Sequence, residues 1–365
     1  GGIYGAGSIE ISGGVFGNSS ATSTATSTNY SNYAGGSGGG IYSTGNIRFS
    51  SGKTYVYANY AVSDGGGIYI KKSATTIACD IKYNNAGGNG GGAYVFCWGA
   101  TDIYGTVSQN SATNGGGLYL DGDNGSDEFI CERITNNAAT GSGGGIYLKN
   151  AHLYDPLTIE GNQSKSAGGG IYVDDGTLEI VNGTKITNNT SQNGAEIYNN
   201  GSLTISGGII SGNSIAIYTT KDFTLSGVGD GSNYIGRTYL AENSKILRTN
   251  NNYSVEQWLE PFESGNIKVA SPKSGYVVFD YTNSSNTSMV SMFDKILIAN
   301  NGYKLAVSGK TLVLNTIQYT ITYALNGGSG VATSQSYNIE TNLTLLGTPT
   351  RAGYTFGGWK VTTAD

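Results

Sequence analysis

Few residues in this chain are of the kinds that do chemistry, and their spacing limits what they could do. The only histidine, His152, stands alone and reads as a satisfied surface or turn residue rather than a base. Asp174 and Asp175 are adjacent; on a strand they point to opposite faces and cannot form one catalytic pair. Asp121 and Asp174 fall at the same phase of a repeat, two units apart, or roughly 9.6 Å at the spacing of stacked strands. That is the upper edge of the about 6.5–9.5 Å used by inverting glycosidases. Lys149 lies between them, which suggests a surface charge ladder worth about 0.2–1 kcal/mol per pair. The densest acidic run is Asp121-Gly122-Asp123-Asn124-Gly125-Ser126-Asp127-Glu128. Calcium takes six to eight oxygens from a flexible turn, so Asp121, Asp123, Asp127 and Glu128 are candidate ligands. The twelve-residue loop with a terminal bidentate glutamate is absent, and a solvated acidic insertion is the competing reading; no other cofactor is implied. Cys79, Cys97 and Cys131 are an odd set without metal-ligand spacing. Cys79 and Cys131 sit two units apart, beyond the about 7 Å that a disulfide tolerates between Cα atoms, and read as small buried apolar groups.

The candidate binding residues are tyrosines. A glycine-led variant of Gly-Gly-Ile-Tyr recurs at Tyr4, Tyr42, Tyr69, Tyr94, Tyr119, Tyr147, Tyr172, Tyr198 and Tyr218. If each unit is one coil of a stack, the rings form a column about 4.8 Å apart. The members from Tyr42 to Tyr198 would line a binding ladder beside a glycine strip on which a sugar or another protein's sheet could lie. The competing role is to shield and stiffen the sheet.

The elements that position this column follow from two further patterns. A β-branched residue precedes an asparagine by three positions at Val15/Asn18, Val56/Asn59, Ile81/Asn84, Val107/Asn110, Ile134/Asn137, Ile159/Asn162, Ile186/Asn189 and Ile210/Asn213. Between tyrosine and asparagine lies another short alternating run, such as Thr177-Leu-Glu-Ile180 or Ser202-Leu-Thr-Ile-Ser206. Three short strands per unit of roughly 25 residues, parted by Gly/Asn/Ser turns, predict one coil of a parallel β-helix. The glycine triplets, at about 1 kcal/mol per glycine in a helix, and the period of two both argue against a helical repeat. Period two places Ile146 and Leu148 inside and Tyr147 outside, with Lys71, Asp121, Lys149, Asp174 and Asn200 two residues after a tyrosine and also outside. Asn59, Asn84, Asn110, Asn137, Asn162, Asn189 and Asn213 would stack as a structural ladder at a turn. Hydrogen bonds along the axis and tolerance of left-handed backbone are both reasons for asparagine there.

Paired Gly-Gly-apolar and hydrophobic-x-x-Asn motifs over residues 1 to about 220 resemble the repeats of polymorphic outer-membrane proteins and the wider right-handed β-helix surface proteins. The resemblance implies an extracellular bacterial protein, an adhesin or passenger domain. It departs from that pattern in using Ile, Val or Ala where phenylalanine is usual, and in adding the tyrosine. Many parallel β-helices of the pectin-lyase-like fold act on polysaccharides. The chain nevertheless has no Gly-His-Gly, Arg-Ile-Lys or Asn-Thr-Asp run of the polygalacturonase type.

Residues 21–37 lengthen one unit and read as a polar loop extruded from a turn, with no core of its own. The regular helix is expected over 1–235, and irregular coils with a cap over 236–316. A short helix is expected near 254–263, where Ser254 and Gln257 form a capping box before Trp258, Leu259 and Phe262. From residue 317 the runs Tyr319-Thr-Ile-Thr-Tyr323 and Gly353-Tyr-Thr-Phe356-Gly-Gly-Trp359 resemble an internalin-type B-repeat. That implies a partial β-grasp-like module over 317–365, a spacer or adhesive unit on bacterial surfaces. Residue 1 already lies inside a repeat unit and Asp365 interrupts a module, so a piece of a longer protein is expected.

A net charge of −5 gives no basic footprint for nucleic acid, and no run approaches 18 apolar residues, so no membrane insertion is expected from this chain. The sequence thus predicts a cell-surface adhesin or stalk whose partner is a host or cell-surface glycan or protein. The alternatives are a self-assembling envelope component or filament that binds copies of itself, and a polysaccharide-active enzyme.

Overall fold

Alternation of buried aliphatic residues about one outward tyrosine gives each repeat a strand with a single inner side, and such strands bury that side only by stacking. The computed structural model describes residues 2–49, 53–71, 75–123, 127–154, 156–212, 214–226, 234–241, 243–249, 267–281, 298 and 300–362. All regular structure among them is strand. The helix expected near 254–263 and the seventh ladder residue, Asn213, lie outside the described residues.

One coil comprises Ile146–Lys149, His152–Tyr154, Thr158–Glu160 and Gln163–Ser164. The next coil repeats it in parallel register, with Tyr147 on Tyr172, Leu153 on Leu178 and Ile159 on Ile186. Propagated along the chain, these pairings give an 11-stranded tyrosine sheet, a 20-stranded second sheet and a 6-stranded third sheet. The chain is a parallel β-solenoid of about 25 residues per coil. The third sheet holds strands of only two residues, such as Gln163–Ser164, too short to carry a readable period. Inside, Ile41, Ile68, Ala93, Leu118, Ile146, Ile171, Ile197 and Ile217 form one fully buried file. Each of the larger members contributes about 1.5–3 kcal/mol by leaving water.

The glycine triplet answers two demands, seen at residues 115–117. Gly115 has φ +60°, which a side chain resists. A Cβ on Gly116 would lie 2.3 Å from the Ala138 carbonyl oxygen, and one on Gly117 would lie 2.7 Å from that of Gly145. The coils approach closely there, and only glycine fits.

The asparagine ladder is built by hydrogen bonds along the axis. In the rungs at Asn59, Asn84, Asn110, Asn137 and Asn162, the backbone N–H and Nδ2 both donate to Oδ1 of the next rung at 2.8–3.0 Å. Nδ2 also donates to a carbonyl of the preceding coil, as from Asn84 to Val56 at 2.8 Å. Left-handed backbone falls one residue earlier, at Ala58, Tyr83, Gln109, Asn136 and Asn188, so it is not what selects asparagine at the rungs.

Two features at the start of the ladder differ from the sequence reading. Asn18 caps a local turn, its Oδ1 accepting from the Ser20 N–H, and the rung before Asn59 is Asn32, which donates to Asn59 Oδ1 at 2.7 Å. The loop expected to be extruded instead lies back on the solenoid as a strap. The N–H groups of Ser31 and Ala25 donate to the carbonyls of Ala58 and Tyr83, both at 2.7 Å, and Thr24 Oγ1 donates to that of Gln109 at 2.8 Å. Ala25 is 2% exposed. The strap answers the outward carbonyls that the left-handed turns leave behind.

Beyond Tyr218 the tyrosine sheet continues through Thr238–Leu240 and Ile267–Val269 without glycine triplets. The parallel run of the second sheet ends at Val277–Asp280, which pairs antiparallel with Thr311–Thr316, itself the partner of Tyr303–Ser308. Among the described residues the last tyrosine-sheet strand is closed by Asn300, whose Oδ1 accepts from the Val269 N–H at 2.8 Å and whose Nδ2 donates to the Val269 carbonyl at 2.9 Å. After it, Tyr319–Thr322 pairs antiparallel with Ser334–Tyr337. Tyr323 and Phe356 pack on Trp359, whose Nε1–H donates to the Leu346 carbonyl at 2.8 Å. Tyr303 Oη donates to Glu340 at 3.1 Å, tying this module to the cap.

Candidate functional site

The register of the first sheet brings ten tyrosines into one column, the nine of the sequence motif and Tyr239. Neighbouring ring centroids are 4.7–5.1 Å apart and the planes 6–24° from parallel. Ring faces from Tyr42 to Tyr218 are therefore covered by the rings above and below. What the column presents outward is ring edges and phenolic hydroxyls. Exposure falls from 76% at Tyr4 to 9% at Tyr119, so the middle of the column is also the most enclosed. A sugar cannot stack on these faces; it can meet a row of hydroxyls.

Beside the tyrosines runs a second column, two residues on: Lys71, Phe96, Asp121 and Lys149 in register, followed by Asp174. Lys71 Nζ lies 5.7 Å from the Phe96 ring centroid. Asp121 Oδ2 accepts from Tyr94 Oη at 3.2 Å and sits 3.5 Å from Lys149 Nζ. Asp174 Oδ2 accepts from Tyr147 Oη at 2.8 Å. Burial, then the nearby carboxylates, push the hydroxyls of Tyr94, Tyr119 and Tyr147 well above the ordinary phenol range. Burial also raises Asp121, with Lys149 and Tyr94 pulling the other way. Asp121 and Asp174 each have their own tyrosine partner and do not face one another as a bare acid pair.

The four acidic-loop residues point to different partners. Asp121 belongs to the tyrosine face. Asp127, 4% exposed, accepts from the N–H groups of Gly99 and Asp123, while Glu128 accepts from Tyr154 Oη at 3.4 Å. Asp123 is exposed. Among the described residues no three His, Cys, Asp or Glu side chains gather as a metal site, and residues 124–126 of this loop lie outside them. His152 Nε2 is buried without a hydrogen-bond partner, 3.7 Å from Glu179 Oε2. Cys79 and Cys131 are free thiols buried in the core, and burial pushes both up.

Three residues escaped the sequence reading. Tyr239 lacks the glycine motif and was signalled only by its spacing of 21 residues from Tyr218. Asn32 is hidden in the strap. Glu196 stands where the preceding coils carry glycine and reads there as a motif variant.

Two family models match the chain. One, described as periplasmic copper-binding protein (NosD), covers residues 45–275; the other, the Listeria-Bacteroides repeat domain, covers residues 319–364. No curated protein and no solved structure matches.

Proposed function

The chain belongs to the periplasmic copper-binding protein (NosD) family, and from that premise we propose a bacterial envelope or surface solenoid that presents a binding face along its tyrosine edge. The observation that carries this reading is the continuous row of phenolic hydroxyls and acids on one face of a rigid stack. Spaced about one strand apart, these groups suit an extended partner rich in hydroxyl or amide groups, a glycan chain first among them. The Listeria-Bacteroides repeat at the other end suits a spacer or a second adhesive unit.

The family's name invokes copper, whose protein ligands are imidazole, thiolate and thioether. The described residues do not fit it. His152 is the only histidine in the sequence, Cys79 and Cys131 are sealed in the core with raised thiols, and among the described residues no three His, Cys, Asp or Glu groups gather; the side chains of Cys97, Met289 and Met292 lie outside them.

The test is a glycan array probed with the parent and with Tyr94, Tyr119, Tyr147 and Tyr172 changed together to Phe. Phenylalanine keeps the stack and removes the hydroxyls, so the reading expects binding by the parent that the variant loses. Absence of binding by a folded parent, or turnover of any polysaccharide, would overturn it.

A further inference from the structure

Glu196 is where the interior pattern breaks. The residue before the buried aliphatic file is Gly40, Gly67, Gly92, Gly117, Gly145 and Gly170 in successive coils, and then Glu196, fully buried. At those glycines a Cβ would point at the nearest ladder asparagine, 2.8–3.1 Å from its Nδ2. Glu196 extends a whole carboxyl from that position and takes over the next rung. Its Oε2 accepts from the N–H of Asn189 at 3.3 Å and from Asn189 Nδ2 at 2.5 Å, the two donors that each rung from Asn59 to Asn162 gives to an asparagine. Its Oε1 is enclosed without a hydrogen-bond partner. A Cβ on Gly212 would lie 2.1 Å from that oxygen, so the facing coil leaves room for the carboxyl, and no described residue there bonds to it.

The segments packed around it are Ile171–Asp174, Lys185–Thr187, Ile209–Ser211 and Ile217–Thr219. Their titratable groups are Asp174, bonded to Tyr147 on the outer face, Lys185, which is exposed, and the outward phenols of Tyr172 and Tyr218; Tyr198 stands on the strand of Glu196 itself. Among the described residues, none of these supplies a positive charge to the buried oxygen. A carboxylate there has one oxygen satisfied and one stranded, whereas the neutral acid keeps Oε2 as an acceptor and removes the charge.

We propose that Glu196 is a pH-sensitive latch: as the neutral acid it closes the asparagine ladder, and as the carboxylate it loosens the stack between the Asn189 coil and the coil that carries Gly212. Burial raises this acid from its ordinary 4.5 to about 7, against the opposing pull of the Asn189 donors. The folded value lies above the unfolded one, so the latch is fully closed below about pH 4.5 and is lost as pH rises through about 7.

Hydrogen exchange on the whole chain tests this, read on peptides that span Asn189 to Tyr198 and normalised to intrinsic exchange rates. Opening of this segment rises about tenfold between pH 6 and pH 8 in the parent. Glu196→Gln is flat over that range, and so is Glu196→Gly, which restores the residue of the preceding coils. A flat profile in the parent overturns the proposal. So does the same dependence persisting in either variant.

Discussion

Asn110 is joined to Asn137 twice: its backbone N–H and its Nδ2 both reach the single Oδ1 of Asn137 at 3.0 Å. Its own Oδ1 receives the same pair of donors from Asn84. Asn110→Ala therefore removes its outgoing side-chain bonds and strands two buried donors on Asn84. The expected loss is about 3 kcal/mol or more of unfolding free energy, at about 1–3 kcal/mol per orphaned group. Denaturant titration of parent and variant measures it; a change under about 0.5 kcal/mol would reduce the ladder to decoration.

Close approach, separately from conformation, is tested at Gly117, which has no left-handed φ. Gly117→Ala puts a methyl 2.7 Å from the Gly145 oxygen and 2.9 Å from Asn137 Nδ2, and forces the coils apart. It is expected to cost about 1–3 kcal/mol. Gly36→Ala meets nothing within 4 Å and is expected to be near neutral. Equal Tm changes for the two would contradict the packing argument.

The raised phenols give the column a signature at high pH. Tyr94, Tyr119 and Tyr147 have folded values above the unfolded one, so their contribution to stability holds below about pH 10 and is lost as pH rises beyond it. Ultraviolet titration should show exposed tyrosines ionising first and the column ionising only as the solenoid unfolds. One transition at the ordinary phenol value for all 27 tyrosines would dispose of the enclosed column.

The strap is anchored by Ala25, whose N–H and C=O are both engaged and whose methyl group is buried. Ala25→Glu should release it, so that limited proteolysis cuts between residues 21 and 32 far faster than in the parent. Unchanged cleavage would show that Ala25 is not the anchor.

Cys79 and Cys131 should resist alkylation until the chain unfolds, because burial holds both as neutral thiols. Peptide mapping after a thiol-reagent pulse checks this; native labelling at either position would mean that the core opens there.

The regular coils were legible because a period of two and a fixed unit length report directly on which side chains are inside. Ile146, Tyr147 and Leu148 could be assigned to faces from their order alone, and a two-residue strand such as Gln163–Ser164 could not. The candidate face was legible in part. Tyrosine spacing gave the column, but ring orientation decides whether faces or hydroxyls are offered, and that depends on how tightly coils stack. The strap, Asn32 and Glu196 were opaque for a shared reason. Each depends on a partner outside its own repeat, the strap on the carbonyls of Ala58, Tyr83 and Gln109, Asn32 on Asn59, and Glu196 on Asn189.

Asn300 has a consequence for how the rod could grow. An open parallel edge is a template on which another chain can polymerise, coil upon coil. At Val269 both edge groups are already committed to one side-chain amide. Elongation from this end must first displace Asn300, so Asn300→Ala would be the variant in which to look for fibre nuclei.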